Sequence, residues 1–244
     1  MKKKKLKISW IIGVLIAILQ FVVFTVLYLF MDNQLTNNIR TNTINSMQTT
    51  VMREATIVEK YMQEAEAYLT AYSRAGEITN LLKDPTNKEY QKLAQSYTEK
   101  YSADRMNLEG IYVSEWDSHV LAHTNAGVIG IVTRTGDPLK ALQDTLIEAN
   151  DGVYNAGIII SPASQKQIIS MYKAVLDEDG NTIGLVGAGI FTNGLQELLS
   201  ALPINGMPNA KSYLVNANTN EFVFHDDETL IGTETPYDNL FPQS

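Results

Sequence analysis

The chain has 244 residues, 45% of them hydrophobic, with no cysteine and a formal net charge of −8. That length suits one or two domains, and the lack of cysteine excludes a disulfide framework and thiolate chemistry. Five lysines precede Ile8, whereas every Asp and Glu lies at or after Asp32. The bulk of the chain is therefore strongly acidic, which excludes nucleic acid and anionic lipid surfaces as partners, because both need facing cations.

Residues 1–7 form a basic tail. Ile8 to Met31 is then an uncharged run broken only by Ser9, Gly13, Gln20 and Thr25. As a helix it spans about 36 Å, enough to cross the hydrocarbon core. Trp10 and Tyr28 stand near its ends, where amphipathic rings prefer to lie. The positive-inside rule puts the N-terminus in the cytoplasm and residues 32–244 outside a bacterial cell membrane. A cleaved signal peptide is the alternative, but no small-x-small site follows Phe30.

Residues 33–82 contain no proline and one glycine, Gly76. Ile44, Met47, Val51, Val58, Tyr61, Ala65, Tyr68 and Tyr72 recur at helical spacing, which predicts one long helix with a narrow apolar stripe. Such a stripe suits pairing with another helix. A passive stalk and a rod that transmits motion both fit this pattern. Asp84-Pro85 then punctuates the chain, Asp as a cap and Pro in a first turn, before a shorter helix to about Tyr101.

Leu108 to Thr124 alternates around a polar turn and predicts a β-hairpin, followed by a loop to Gly136. Asp137-Pro138 starts a helix that ends near Asn150-Asp151-Gly152. Three strands follow, over 153–161, 167–176 and 182–191, the last two joined by the turn Asp177-Glu178-Asp179-Gly180. The predicted class is α+β, with a five-stranded antiparallel sheet and helices on one side. The hairpin then recurs: Tyr112, His123 and Ile129-Gly130 are matched by Tyr213, His225 and Ile231-Gly232, with the same spacing from His to Gly. A duplicated unit is implied. The second copy, 211–244, is expected to be incomplete and the least stable part, since a lone hairpin is marginal in water.

The order of these elements, with the segments GDPLKALQD, YNAGIIISPAS, GNTIGLVGAGI and YLVNANTNEFVFHDDETLIG, resembles the double Cache (PAS-like) extracellular sensor of bacterial methyl-accepting chemotaxis proteins. The resemblance implies a transmembrane helix at 8–31, a stalk helix at 33–82 and a membrane-distal Cache module at 83–191. It also implies a connecting segment at 192–210 and the start of a proximal module at 211–244. It places a ligand cavity in the distal module, and it implies dimerisation and contact with a chemotaxis kinase and adaptor through C-terminal parts that this chain lacks. The amino-acid-binding version of the family carries an Arg followed by aromatic residues and an Asp near the end of the last strand. Here Thr135-Gly136-Asp137-Pro138 follow Arg134, and Gly189 stands where the acid is expected, so the resemblance does not by itself imply an amino acid.

The candidate ligand contacts are Arg134, Asp137, Tyr154, Ser161, Tyr172, Lys173 and Trp116. Arg134 can hold a carboxylate in bidentate fashion. Asp137 also fits a helix N-cap, Tyr154 and Tyr172 also fit core rings, and Trp116 either caps the pocket or packs on the following helix. His119 and His123 straddle a turn and make no helical metal pair, and the Asp177 turn lacks the spacing of a calcium loop. Small residues Gly184, Gly187 and Gly189 in a strand let a helix or ligand approach the sheet. No catalytic constellation is evident, and neither metal nor cofactor is implied. The leading function is therefore a chemoreceptor input domain that binds a small extracellular molecule. The alternatives are the sensor of a histidine kinase or diguanylate cyclase and, from another class, a membrane-anchored envelope enzyme or structural protein.

Overall fold

The computed structural model describes residues 8–103, 105, 107–200, 213–217, 219–225 and 227–236. The basic tail, most of the connecting segment and both ends of the second hairpin region, at 211–212 and 237–244, lie outside them. Contacts divide the chain into two units, one ending at Arg53 and one beginning at Glu54.

Helix α1 runs unbroken from Ile8 to Ser73. Its first part, Trp10 onward, is long and apolar enough to cross a membrane. Beyond it, Ile44, Met47 and Val51 are exposed within their own unit. The single helix expected to Leu82 is corrected by the structure: α1 stops at Ser73, Ala75 is extended, and α2 spans Gly76–Lys83. Gly76 is a poor helix residue, and the break turns the chain back so that Ile78, Leu81 and Leu82 enter the same core as Leu69 and Tyr72. Helix α3, Lys88–Ala103, is capped by Asn87 rather than Asp84, its Oδ1 accepting from the amides of Glu89 and Tyr90 at 3.0 and 3.2 Å.

The sheet comprises β1 (Leu108–Ser114), β2 (Val120–His123), β3 (Tyr154–Ile160), β4 (Gln167–Leu176) and β5 (Thr182–Phe191). Its order is β2-β1-β5-β4-β3, antiparallel throughout. On one face Ile111, Ile169, Met171, Val175 and Val186 pack against α1, α2 and α3. The expectation of helices on one side is also corrected. Helix α4, Gly136–Ala149, lies on the opposite face, where Leu142 and Leu146 pack on Tyr172, Ala174 and Leu185. Alternation along each strand serves both layers, so neither face is left to water along its whole length.

An eight-residue helix, α5 (Asn193–Ser200), occupies the start of the expected connecting segment. Its Leu195 and Leu199 pack with Phe224 and against Ile57, Val58 and Leu214. The second hairpin, β6 (Leu214–Asn216) and β7 (Glu221–Phe224), forms a separate two-stranded sheet. It repeats several hydrogen bonds of the first hairpin. Gly130 N donates to Val120 O at 2.8 Å, as Gly232 N does to Phe222 O. His123 Nδ1 accepts from the Asn125 amide at 2.8 Å, and His225 Nδ1 from the Asp227 amide at 2.9 Å. Both histidines also meet the matching tyrosine ring, at 5.5 and 6.0 Å between centroids.

Candidate ligand pocket

Helix α4 covers only the end of its sheet face that carries Ala174 and Leu185. The rest of that face, around Ile168, Ser170 and Gly189, floors a cavity of about 780 Å³. That volume suits a small organic ligand. The segment from Asn125 to Arg134 forms one wall, and the β3–β4 turn with Ser161 forms another. Much of the lining is aliphatic. Ile131, Val132 and Ile159 present side chains to it that are otherwise exposed.

Arg134 is half-buried and held in place by Tyr172. Its Nη2 donates to the Tyr172 hydroxyl at 2.7 Å, and its guanidinium carbon lies 4.6 Å from the centre of that ring. Ser170 donates to the same hydroxyl at 2.8 Å. Burial opposes the Arg134 charge, but the Tyr172 and Tyr112 hydroxyls bonded to it push its pKa up, so the cation is secure. Burial also drives the Tyr112 hydroxyl well above the usual tyrosine value, so it stays neutral. The arrangement presents a fixed, permanently charged donor to an anionic group.

The structure thus brings together Arg134, Tyr172 and Ser161 on the pocket lining. Ser161 is also structural, its Oγ accepting from the amides of Ala163 and Ser164 at 3.1 and 3.3 Å. The other expected contacts lie elsewhere. Asp137 is exposed in the first turn of α4, where Thr135 is the cap residue, so it is neither N-cap nor pocket wall. Tyr154 stacks on Tyr172 at 6.2 Å on the side facing α4. Trp116 packs in the same cluster, and its carbonyl accepts from Gln143 Nε2 at 2.9 Å. Lys173 follows Tyr172 and so points to the opposite face, 1% exposed, with its ammonium on the Asp151 carboxylate at 2.7 Å and on the Asp151 carbonyl.

An imidazole and a carboxylate on the lining were not among the expected contacts. His123 ends β2 and faces the pocket. Its Nδ1 accepts from Asn125, so the neutral ring carries its proton on Nε2. Burial holds its pKa below the usual value, although Glu109 pulls the other way. Glu109 is the second. Leu108 pairs with Ile190 and Gly110 with Gly189, which leaves Glu109 as the extra residue of a β-bulge. Leu108 and Ile111 pack on the stalk-helix face, while Glu109 and Gly110 both line the pocket. Strict alternation would have sent Glu109 to the stalk-helix core; the bulge turns it round. No signal in the sequence marks that bulge apart from the glycine beside it.

No family model matches this sequence, and no curated protein matches it. Solved structures do. The sensor domain of the Vibrio cholerae histidine kinase DctB matches with a TM-score of 0.61 at 10% identity, over 78% of this chain and 69% of that one. The ligand-binding domain of the Pseudomonas fluorescens chemoreceptor CtaA, in complex with L-isoleucine, gives 0.58 at 16% identity, over 85% and 79%. A domain of a putative sensory box/GGDEF protein from Vibrio parahaemolyticus gives 0.62 at 12%, over 82% and 78%. These are sensory domains attached to different outputs, and identities this low speak for the fold. The fold of this chain is the Cache-type, PAS-like fold of bacterial extracellular sensor domains.

Proposed function

We propose that this chain is the extracellular input part of a transmembrane chemoreceptor and binds a small molecule in the pocket on the α4 face of the sheet. The observation that carries this reading is Arg134, a buried-edge guanidinium fixed by Tyr172 and aimed into a largely aliphatic cavity. It suits a ligand bearing a carboxylate or similar anion. In this reading residues 8–31 cross the membrane, residues 32–244 lie outside, and the exposed stripe through Ile44, Met47 and Val51 pairs with a second copy. Residues 83–191 are the membrane-distal module and 211–244 begin the proximal one. A ligand signals only if it favours one arrangement of the module over another. The chemotaxis kinase and its adaptor are reached through a cytoplasmic region beyond this chain.

A second output is supported by the kinase and GGDEF neighbours: the same input module attached to a histidine kinase or a diguanylate cyclase. The coding sequence downstream separates the two readings. The binding claim is tested by thermal shift of the full chain in nanodiscs against amino acids, organic acids, amines and purines. A ligand at 100 times its Kd adds about 2.7 kcal/mol, and R134A removes the shift of the ligand found. No shift from any class would contradict the sensor reading.

A further inference from the structure

A second cavity, of about 210 Å³, lies on the other side of the sheet, against the long helix. Tyr61, Ala65 and Tyr68 of α1 form one wall, and Leu108 of β1 and Ile190 of β5 form the other. It shares no lining residue with the pocket on the α4 face. An apolar cavity of about 150 Å³ is enough to hold benzene, so this one has room for a single ring with a short substituent. Arg105 stands at its edge, with its guanidinium carbon 4.3 Å from the centre of the Tyr68 ring. That ring is backed in turn by Tyr101, 4.4 Å away between centroids. The two tyrosines lock one another, each hydroxyl donating to the other's carbonyl at 2.7 and 2.8 Å. The cation therefore rests on a rigid base, and a guanidinium held by its face presents N–H donors along its edge. Arg105 forms no ion pair among the described residues, although Glu64 lines the same cavity. Asn107, also on the lining, has a left-handed backbone with φ 65°. That conformation is uncommon away from glycine, and strained backbone of this kind gathers at ligand sites.

We propose that this cavity is a second binding site, for a small aromatic carboxylate whose ring lies among Ala65, Leu108 and Ile190 and whose carboxylate meets Arg105. The proposal does not depend on the α4-face pocket being a ligand site. A neutral ring would leave the guanidinium without an anion, and a small anion alone would leave the apolar walls unfilled. Glu64 is exposed, so water and salt screen its charge from the bound carboxylate. An occupant here touches α1 directly, whereas no residue of α1 lines the other pocket. The site is thus a separate input that bears on the long helix itself.

The test uses the full chain in nanodiscs, with empty nanodiscs as the blank, and isothermal titration calorimetry with three probes. Benzoate carries ring and charge, benzamide the ring alone and acetate the charge alone. Benzoate is expected to bind the native chain, with benzamide and acetate roughly tenfold to a hundredfold weaker, the range of a charged hydrogen bond. R105Q is expected to weaken benzoate by a similar factor and to leave benzamide unchanged. Arg105 is exposed, so R105Q is expected to melt close to the native chain, which shows that it folds. Hydrogen exchange with benzoate is expected to show protection at residues 61–68, 107 and 108. No binding of benzoate by the native chain overturns the proposal, as does equal affinity of native and R105Q chains, or acetate or benzamide matching benzoate. Protection confined to residues 131–134 and 168–172 also overturns it, and assigns benzoate to the α4-face pocket instead.

Discussion

The Arg134 guanidinium donates to the Tyr172 hydroxyl at 2.7 Å while lying over the same ring, so one tyrosine both positions the cation and shields it. Y172F keeps the ring and removes the acceptor. It also strands the Ser170 hydroxyl, which now donates to that oxygen. The expected cost is about 1–2 kcal/mol of stability, read from urea denaturation, with weaker binding of any ligand anchored on Arg134. An unchanged denaturation midpoint would show that the hydroxyl positions nothing.

On the opposite face, Asp151 receives the buried Lys173 ammonium and also Arg74 at 2.6 Å, at the end of the long helix. The two partners differ in exposure, 1% for the Lys173 side chain against 52% for Asp151. Removing each should therefore cost different amounts. D151A leaves a buried ammonium without its carboxylate, at about 3 kcal/mol. K173M replaces the ammonium by an apolar group of similar length and leaves an aspartate that still reaches water and Arg74, at about 1 kcal/mol. The reverse order in chemical denaturation would contradict this placement of Lys173.

Two groups give stability a pH dependence at different ends of the acid range. Burial lowers the His123 pKa in the folded chain, so the unfolded chain binds the proton more readily. This contribution is complete above the unfolded value of about 6.5 and is lost as pH falls below it. H123N should flatten the stability profile in that window. Lys173, and then Arg74, hold Asp151 below the usual carboxylate range. Its contribution is present above about pH 4 and is lost as pH falls through its folded pKa. Thermal melts of native, H123N and D151N chains from pH 7.5 to 3.5 should separate the two windows. A native profile that rises on acidification from pH 6.5 would contradict the first.

The second hairpin repeats several hydrogen bonds of the first but not its setting. β4 and β5 are almost wholly buried, whereas β6 is half-buried along its length. Among the described residues a small cluster around Phe224, Leu195 and Leu199 anchors it, with one long bond from Gln167 Nε2 to the Val223 carbonyl. Its amides are expected to exchange faster than those of residues 167–176 and 182–191. Equal protection would mean that the hairpin belongs to the same cooperative unit as the large sheet.

The limits of β4 and β5, at 167–176 and 182–191, were legible because their two apolar runs are separated by the turn Asp177-Glu178-Asp179-Gly180. Arg134 and Tyr172 were legible as pocket residues only with the resemblance in hand. What escaped is local and steric. The stop at Ser73 is set by where Ile78 and Leu82 must pack, not by a strong breaker. α4 lies on the far face because Leu142 and Leu146 match the side of the sheet that carries Tyr172 and Ala174. Lys173 was misjudged because it neighbours Tyr172 in sequence, and adjacent strand residues face opposite ways. Glu109 was missed for the converse reason: a bulge breaks that alternation, and a bulge leaves no mark in a pattern of polar and apolar letters.

The most direct test is amide hydrogen exchange of the full chain in nanodiscs, with and without a ligand identified by thermal shift. Ligand-dependent protection is predicted at residues 109–112, 131–134 and 168–172, the strands and loop that line the cavity. Protection confined instead to residues 61–68, 105, 107 and 108, around the smaller cavity beneath the long helix, would contradict the assignment of the ligand to the α4 face of the sheet.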